Sequence, residues 1–141
     1  MACWLVKSEP GDWSFEDQMA VEKEPWDGVR NAQAQANMRA MNEGDQVLFY
    51  HSGKGKEIVG LCVVAVGPYP DPDDPKGPDG KAVLVDLKAT HQANTPVSLG
   101  AIKADGRFDD LALVRQARLS VMPIPDDAFQ ALADMLDLKA L

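Results

Sequence analysis

Apolar and polar positions fall into short blocks along this chain, and the blocks change period several times. ACWLV (2–6) is an unbroken apolar run halted by KSEPGDW, so it reads as a short buried strand with Lys7, Ser8 and Glu9 at its end and Pro10 and Gly11 as breakers. Ser14 stands three residues before Asp17, a spacing that predicts a reciprocally capped helix running to about Glu22. Further on, Ala34, Met38 and Met41 recur at i, i+4 and i+7, the stripe a helix presses against a sheet. Asn42 and Gly44 then predict a left-handed stop, and VLFYHS has the bias of a strand ending at Tyr50, His51 and Ser52.

The second half is richer in strands. SGKGKE predicts a turn, and EIVGLCVVAV is a nearly continuous apolar run that predicts a central strand buried on both faces and hairpin-paired with the one before it. Gly60 within it predicts either a close backbone approach or a bulge. PYPDPDDPKGPDG predicts an exposed loop, with Pro68 to Gly80 mobile and dispensable for the fold. KAVLVDLKA alternates Val83, Val85 and Leu87 against Leu84, Asp86 and Lys88, a strand with one wetter face. Pro96 predicts a break, Ser98 the cap of a short helix through Ala104, and Gly106 its end. LALVRQ suits one helical turn or a strand, RLSVMPI predicts a strand, and Pro125 opens a final helix with Phe129, Leu132, Ala133 and Leu136 on one face. Four or five strands without regular strand–helix alternation predict an α+β domain on a small curved or barrel-like sheet. Neither glycine-rich dinucleotide fingerprint nor phosphate-binding loop is present.

The chain has 141 residues, enough for one well-packed domain spanning 1–141. With 45% hydrophobic and 26% charged residues, disorder throughout is excluded. The N-terminal stretch lacks the basic and long apolar regions of a secretory signal, and no run reaches transmembrane length, so the expectation is a cytoplasmic protein without a membrane partner. Cys3 and Cys62 lie in strand-like runs without the spacing of a redox pair or metal knuckle, and His51 and His91 add no metal set, so no metal or other cofactor is expected. The net charge of −8 argues against wrapping a polyanion, an affinity built from many Lys and Arg neutralising phosphates.

The candidate chemistry gathers between Trp26 and Ser52. WDGVRN sets an indole, a guanidinium and an amide around one glycine, a set suited to stacking on and hydrogen-bonding a flat polar ligand. The loop before the central helix and the strand end after it can meet at one sheet rim. Trp26 is therefore expected to line a concave pocket with Arg30, Asn31 and Ser8, and Trp26→Ala to remove binding while leaving the fold largely intact.

WLVKSEP, WDGVRN, NMRAMNEGDQVLFYHS, IVG and RLSVMPI, in this order, closely resemble the EVE domain family over nearly the whole chain. The resemblance implies a PUA-like pseudobarrel with a mixed five- to six-stranded curved sheet flanked by short helices. It also implies a reader of modified bases in DNA or RNA. By resemblance the pocket would draw on Lys7, Ser8 and Glu9, on Trp26, Val29, Arg30 and Asn31, on Tyr50, His51 and Ser52, and on Arg118, Leu119 and Ser120. The chain departs from the family where NAQAQANMR replaces a bulkier NYQARNNMR-like segment, with Ala32, Gln35 and Ala36 at aromatic, basic and amide positions.

Three functions follow. The leading one is a non-catalytic reader, expected to be a monomer, that stacks a modified nucleobase of RNA or DNA on Trp26, with other nucleic-acid-processing proteins as further partners. The second is an enzyme acting on a nucleotide or other small molecule, with His51 as general base and Glu9 or Lys7 assisting. The third is a protein-interaction module whose acidic surface suits a basic partner.

Overall fold

The apolar runs form the middle of one mixed sheet in the computed structural model, which describes residues 1–141. In spatial order its strands are β2 (Glu24–Pro25), β5 (Val83–Ser98), β4 (Glu57–Pro70), β3 (Gln46–His51), β1 (Cys3–Ser8) and β6 (Val121–Ile124), with β7 (Leu138–Ala140) beside β5. All pairings are antiparallel except β1 with β3. The sheet does not close, since its path ends on β2 and β6. Seven strands form where five or six were expected, because β2 and β7 are edge pieces of two and three residues that no apolar run announces.

Apolar side chains explain the centre. Leu5, Val6, Val47, Leu48 and Phe49 are fully buried on the parallel pair β1–β3, and Ile58, Leu61 and Cys62 continue the core across β4. Helix α2 (Ala32–Ala40) seats Ala34 and Met38 in that core, with Met41 just past its end. Met41 is extended rather than left-handed, so Asn42 and Gly44 do not stop the helix. Gly44, at φ +90°, instead shapes the next turn, where its N–H donates to the Val64 carbonyl. Helix α1 (Phe15–Met19) carries the expected Ser14–Asp17 cap but ends three residues before Glu22.

At Gly60 the close approach and the bulge coincide. A Cβ there would lie 2.2 Å from the Phe15 ring, which meets Phe49 edge-on at 5.1 Å, and the β4–β5 register slips between Ile58 and Gly60. That slip lets β5 run on through Pro96 to Ser98, so the proline does not break the strand. Ser98 then caps α3 (Leu99–Asp105), and Gly106 ends it at φ +83°. LALVRQ resolves into the single-turn helix α4 (Ala112–Arg115). The final helix α5 (Asp126–Leu136) buries Phe129, Leu132 and Leu136.

One expectation about the acidic segment is corrected. β4 continues through Pro70, with Tyr69 opposite Leu84 and Pro70 opposite Val83, so Pro68 to Pro70 belong to the sheet. The residues after them are tied by their own carboxylates: Asp71 accepts from the Asp73 N–H at 2.8 Å, and Asp74 accepts from the N–H groups of Lys76 and Ala82 at 2.8 and 2.9 Å. Carboxylates thus brace the turn that follows β4. Asp86 is likewise buried rather than wet, because the Tyr69 hydroxyl donates to it and the Lys23 ammonium stands 3.7 Å away. Burial, and then that contact, push the pKa of the Tyr69 hydroxyl up to about 12.

Candidate functional site

The parallel pairing of β1 and β3 brings two strand ends to one rim, with Lys7 opposite Tyr50 and Ser8 opposite His51. The Lys7 N–H donates to the Ser120 carbonyl at 2.9 Å and draws the approach to β6 alongside. Across the gap, the Trp26 N–H donates to the Val85 carbonyl at 2.8 Å, which continues the β2–β5 ladder and fixes the start of WDGVRN on the sheet. Between these walls lies a cavity of about 470 Å³. One wall is Lys7, Ser8, Glu9, Asp12 and Trp13, the opposite wall is Glu24 through Arg30, and Ser120 completes it.

Two indoles define the apolar surface. Trp26 is only 8% exposed and meets the Phe49 ring at 5.6 Å and 82°, so it is both a wall of the cavity and part of the core. Trp13 is half-buried and donates its indole N–H to Gln18 at 2.9 Å, while Gln18, fully buried, donates to the Leu87 carbonyl at 2.8 Å. The Ser8 hydroxyl donates to the Trp13 carbonyl, closing the turn between β1 and α1.

The charges are unevenly provided for. Lys7 donates to the Ala117 carbonyl at 2.9 Å and stands 5.7 Å from the Tyr50 ring centre, and burial lowers its pKa. Arg30 reaches toward the buried Asp71 carboxylate at 3.9 Å. Four carboxylates, Glu9, Asp12, Glu24 and Asp27, face the cavity without an ion-pair partner. Burial, and then the charges of Asp27 and Asp86, raise the Glu24 carboxyl above the usual range. Glu9 lies over Gly53, where a Cβ would sit 2.3 Å from its carboxylate; at φ +79° that turn suits glycine twice over. No group of His, Cys, Asp and Glu has the geometry of a metal site, and no helix is long and apolar enough to cross a membrane.

Of the residues the sequence pointed to, Lys7, Ser8, Glu9, Trp26, Val29, Arg30 and Ser120 line this cavity. The other six do not, each for a structural reason. Asn31 caps α2 by accepting from the Ala34 N–H at 2.9 Å, and Tyr50 is buried at 3% exposure. His51 accepts the Phe15 N–H on Nε2 at 3.0 Å, and the Ser52 N–H donates to the Ser8 carbonyl at 2.9 Å. Leu119 is in the core and Arg118 is exposed outside the cavity. Sequence reasoning missed Asp12, Trp13, Glu24 and Pro25 as lining residues. Asp27 and Gly28 sit inside WDGVRN itself, and Glu24 lies two residues before Trp26, the spacing that shares a face on a strand. Gln35, one of the departures in α2, bridges the Val29 carbonyl and the Val83 N–H at 2.9 Å each and so braces the cavity wall against β5.

The EVE domain model matches residues 2–135. Thymocyte nuclear protein 1 of Rattus norvegicus is 33% identical over 157 residues, covering 89% of this chain and 70% of the rat protein. A protein of Rhodopseudomonas palustris solved by NMR shares 44% identity at a TM-score of 0.90, over 97% of this chain and 94% of that one. Human THYN1, solved in complex with DNA containing 5-methylcytosine, superposes at a TM-score of 0.89 with 28% identity, over 97% of this chain and 98% of that one. The open seven-stranded sheet is thus PUA-like.

Proposed function

This chain belongs to the EVE domain family, and from that membership we propose that it binds nucleic acid and holds one modified nucleobase in the cavity beside Trp26, without catalysing a reaction. The observation that carries this reading is the meeting of two indoles, Trp13 and Trp26, with the β1 strand end and Ser120 around one cavity of about 470 Å³, within the range of small-molecule sites. The complex of human THYN1 with DNA containing 5-methylcytosine supports it. A flipped or single-stranded base enters edge-first and stacks on an indole face. Stacking on one aromatic contributes about 1–3 kcal/mol, so edge contacts and backbone contacts supply the remainder.

His51 supports the non-catalytic reading. Its Nε2 lone pair accepts the first N–H of α1, so the imidazole serves the fold and has no lone pair aimed at the cavity. Lys7 and Arg30 are the only cations on the cavity wall, which limits phosphate contacts there to about two and predicts a shallow dependence of affinity on salt. The test is a titration of single-stranded oligonucleotides, identical but for one modified base, at several salt concentrations. The reading requires a preference for a modified base with a shallow slope; a steep slope with no preference would point to backbone binding elsewhere.

A further inference from the structure

The cavity holds more acceptors than free donors, and one of the acceptors is placed to read the edge of whatever stacks on Trp26. We propose that Glu24 selects the ligand by accepting a hydrogen bond from an exocyclic amine, so that the cavity takes amino-bearing bases in preference to their keto counterparts. The inference rests on the base-reading function above and names the class of base.

Strand geometry places the two side chains together. Glu24 and Trp26 are two residues apart on a segment whose ladder with β5 runs from the Glu24–Leu87 pair to the Trp26 N–H on Val85, so both side chains leave the same face. Glu24 and Trp26 both line the cavity, so that shared face is the one turned toward it. A flat ring lying on Trp26 therefore turns an edge toward the Glu24 carboxylate. Nothing in the protein occupies that carboxylate: Lys23, beside it in sequence, turns instead to Asp86 at 3.7 Å. Burial and the neighbouring acids Asp27 and Asp86 raise its pKa.

The surrounding charges favour the same edge. Besides Glu24, Asp27, Glu9 and Asp12 face the cavity, whereas the Lys7 ammonium is engaged by the Ala117 carbonyl and Arg30 leans to Asp71. The Ser8 hydroxyl proton is directed to the Trp13 carbonyl. A carbonyl on the base edge would oppose carboxylate oxygens, and a phosphate inside would be repelled by all four acids. An amine donates to them, as acidic side chains do with the cytosine amine.

The discriminating ligands are oligonucleotides carrying, at one position, 5-methylcytosine, thymine or 5-methyl-2-pyrimidinone. The first two share ring and methyl and differ in amine against carbonyl, with the accompanying ring proton; the third deletes the amine without adding bulk. The wild-type protein is expected to bind the 5-methylcytosine strand about tenfold or more tightly than either of the others, and Glu24→Gln to reduce that ratio to about threefold or less. Equal affinity for all three strands, a preference for thymine, or a ratio unchanged in Glu24→Gln overturns the proposal. Should Glu24→Gln fail to fold, the pyrimidinone comparison decides alone on the wild-type protein. Failure of all three strands to bind would instead remove the base-reading function itself, and this inference with it.

Discussion

The inward polar groups beneath β1 and β5 and those of the cavity are treated in opposite ways. The Trp4 indole N–H donates to buried Asp45 at 2.9 Å, and the same oxygen accepts from the Asn42 N–H at 2.9 Å. Gln18 and Gln35 are also buried with donor and acceptor both used. Such groups hold the fold, and they are closed to anything from outside. On the cavity wall, Glu9, Asp12, Glu24 and Asp27 are left without basic partners, next to two indoles. The difference teaches where a ligand can gain hydrogen bonds without breaking any that the fold needs.

Substitutions can break that contrast. The largest effect is expected from Trp26, which belongs to both regions: Trp26→Ala should cost about 3 kcal/mol of stability in a denaturant titration as well as binding, because the ring packs on Phe49. This revises the expectation that its loss leaves the fold intact, and Trp26→Phe is the variant that separates the two effects. Next, Asp45→Ala strands the Trp4 and Asn42 N–H groups and should cost about 2 kcal/mol, with the affinity of the folded protein unchanged. Gly60→Ala drives a methyl into the Phe15 ring and should cost about 1–3 kcal/mol, read as a lower melting temperature.

Smaller effects sharpen it. The N–H groups of Lys76 and Ala82 lower the Asp74 pKa, so its contribution is present above the ordinary Asp range and lost as pH falls through the lowered value. Asp74→Asn should therefore narrow its stability difference from wild type in acid, by melting across pH. Glu24 has the opposite sign: its raised pKa makes the native state favour the protonated carboxyl, so stability falls as pH rises from the ordinary Glu value through the raised one. Glu24→Gln should melt slightly higher at neutral pH, by under about 0.5 kcal/mol, and lose that advantage in acid.

The parts of the fold legible in the sequence are those where one local signal meets no competitor. The Ser14 and Ser98 caps, the α2 stripe and the amphipathic α5 follow from spacing alone. What was illegible depends on pairing across the chain. Asp86 reads as a wet position until Tyr69 is brought to it, and Pro96 reads as a break until the bulge at Gly60 gives β5 room to continue. The same holds at the cavity. The segment Lys7 to Glu9 and the WDGVRN start reach it because strand ends are predictable, whereas Trp13 arrives through a turn and Glu24 through a two-residue strand that has no hydrophobic run. His51 and Asn31 looked like ligand contacts because the residues suited to binding are also suited to capping a helix.

The three tryptophans give the most direct measurement. Trp13 and Trp26 line the cavity, while Trp4 lies in the saturated region with its N–H on Asp45. In a proton–nitrogen correlation spectrum of the labelled protein, the three indole N–H signals can be followed as a single-stranded oligonucleotide carrying 5-methylcytosine is added. The indole signals of Trp13 and Trp26 should move with saturation while that of Trp4 stays in place. Movement of Trp4 alone, or no movement of the two cavity indoles at concentrations where the strand is bound, would contradict a base held beside Trp26.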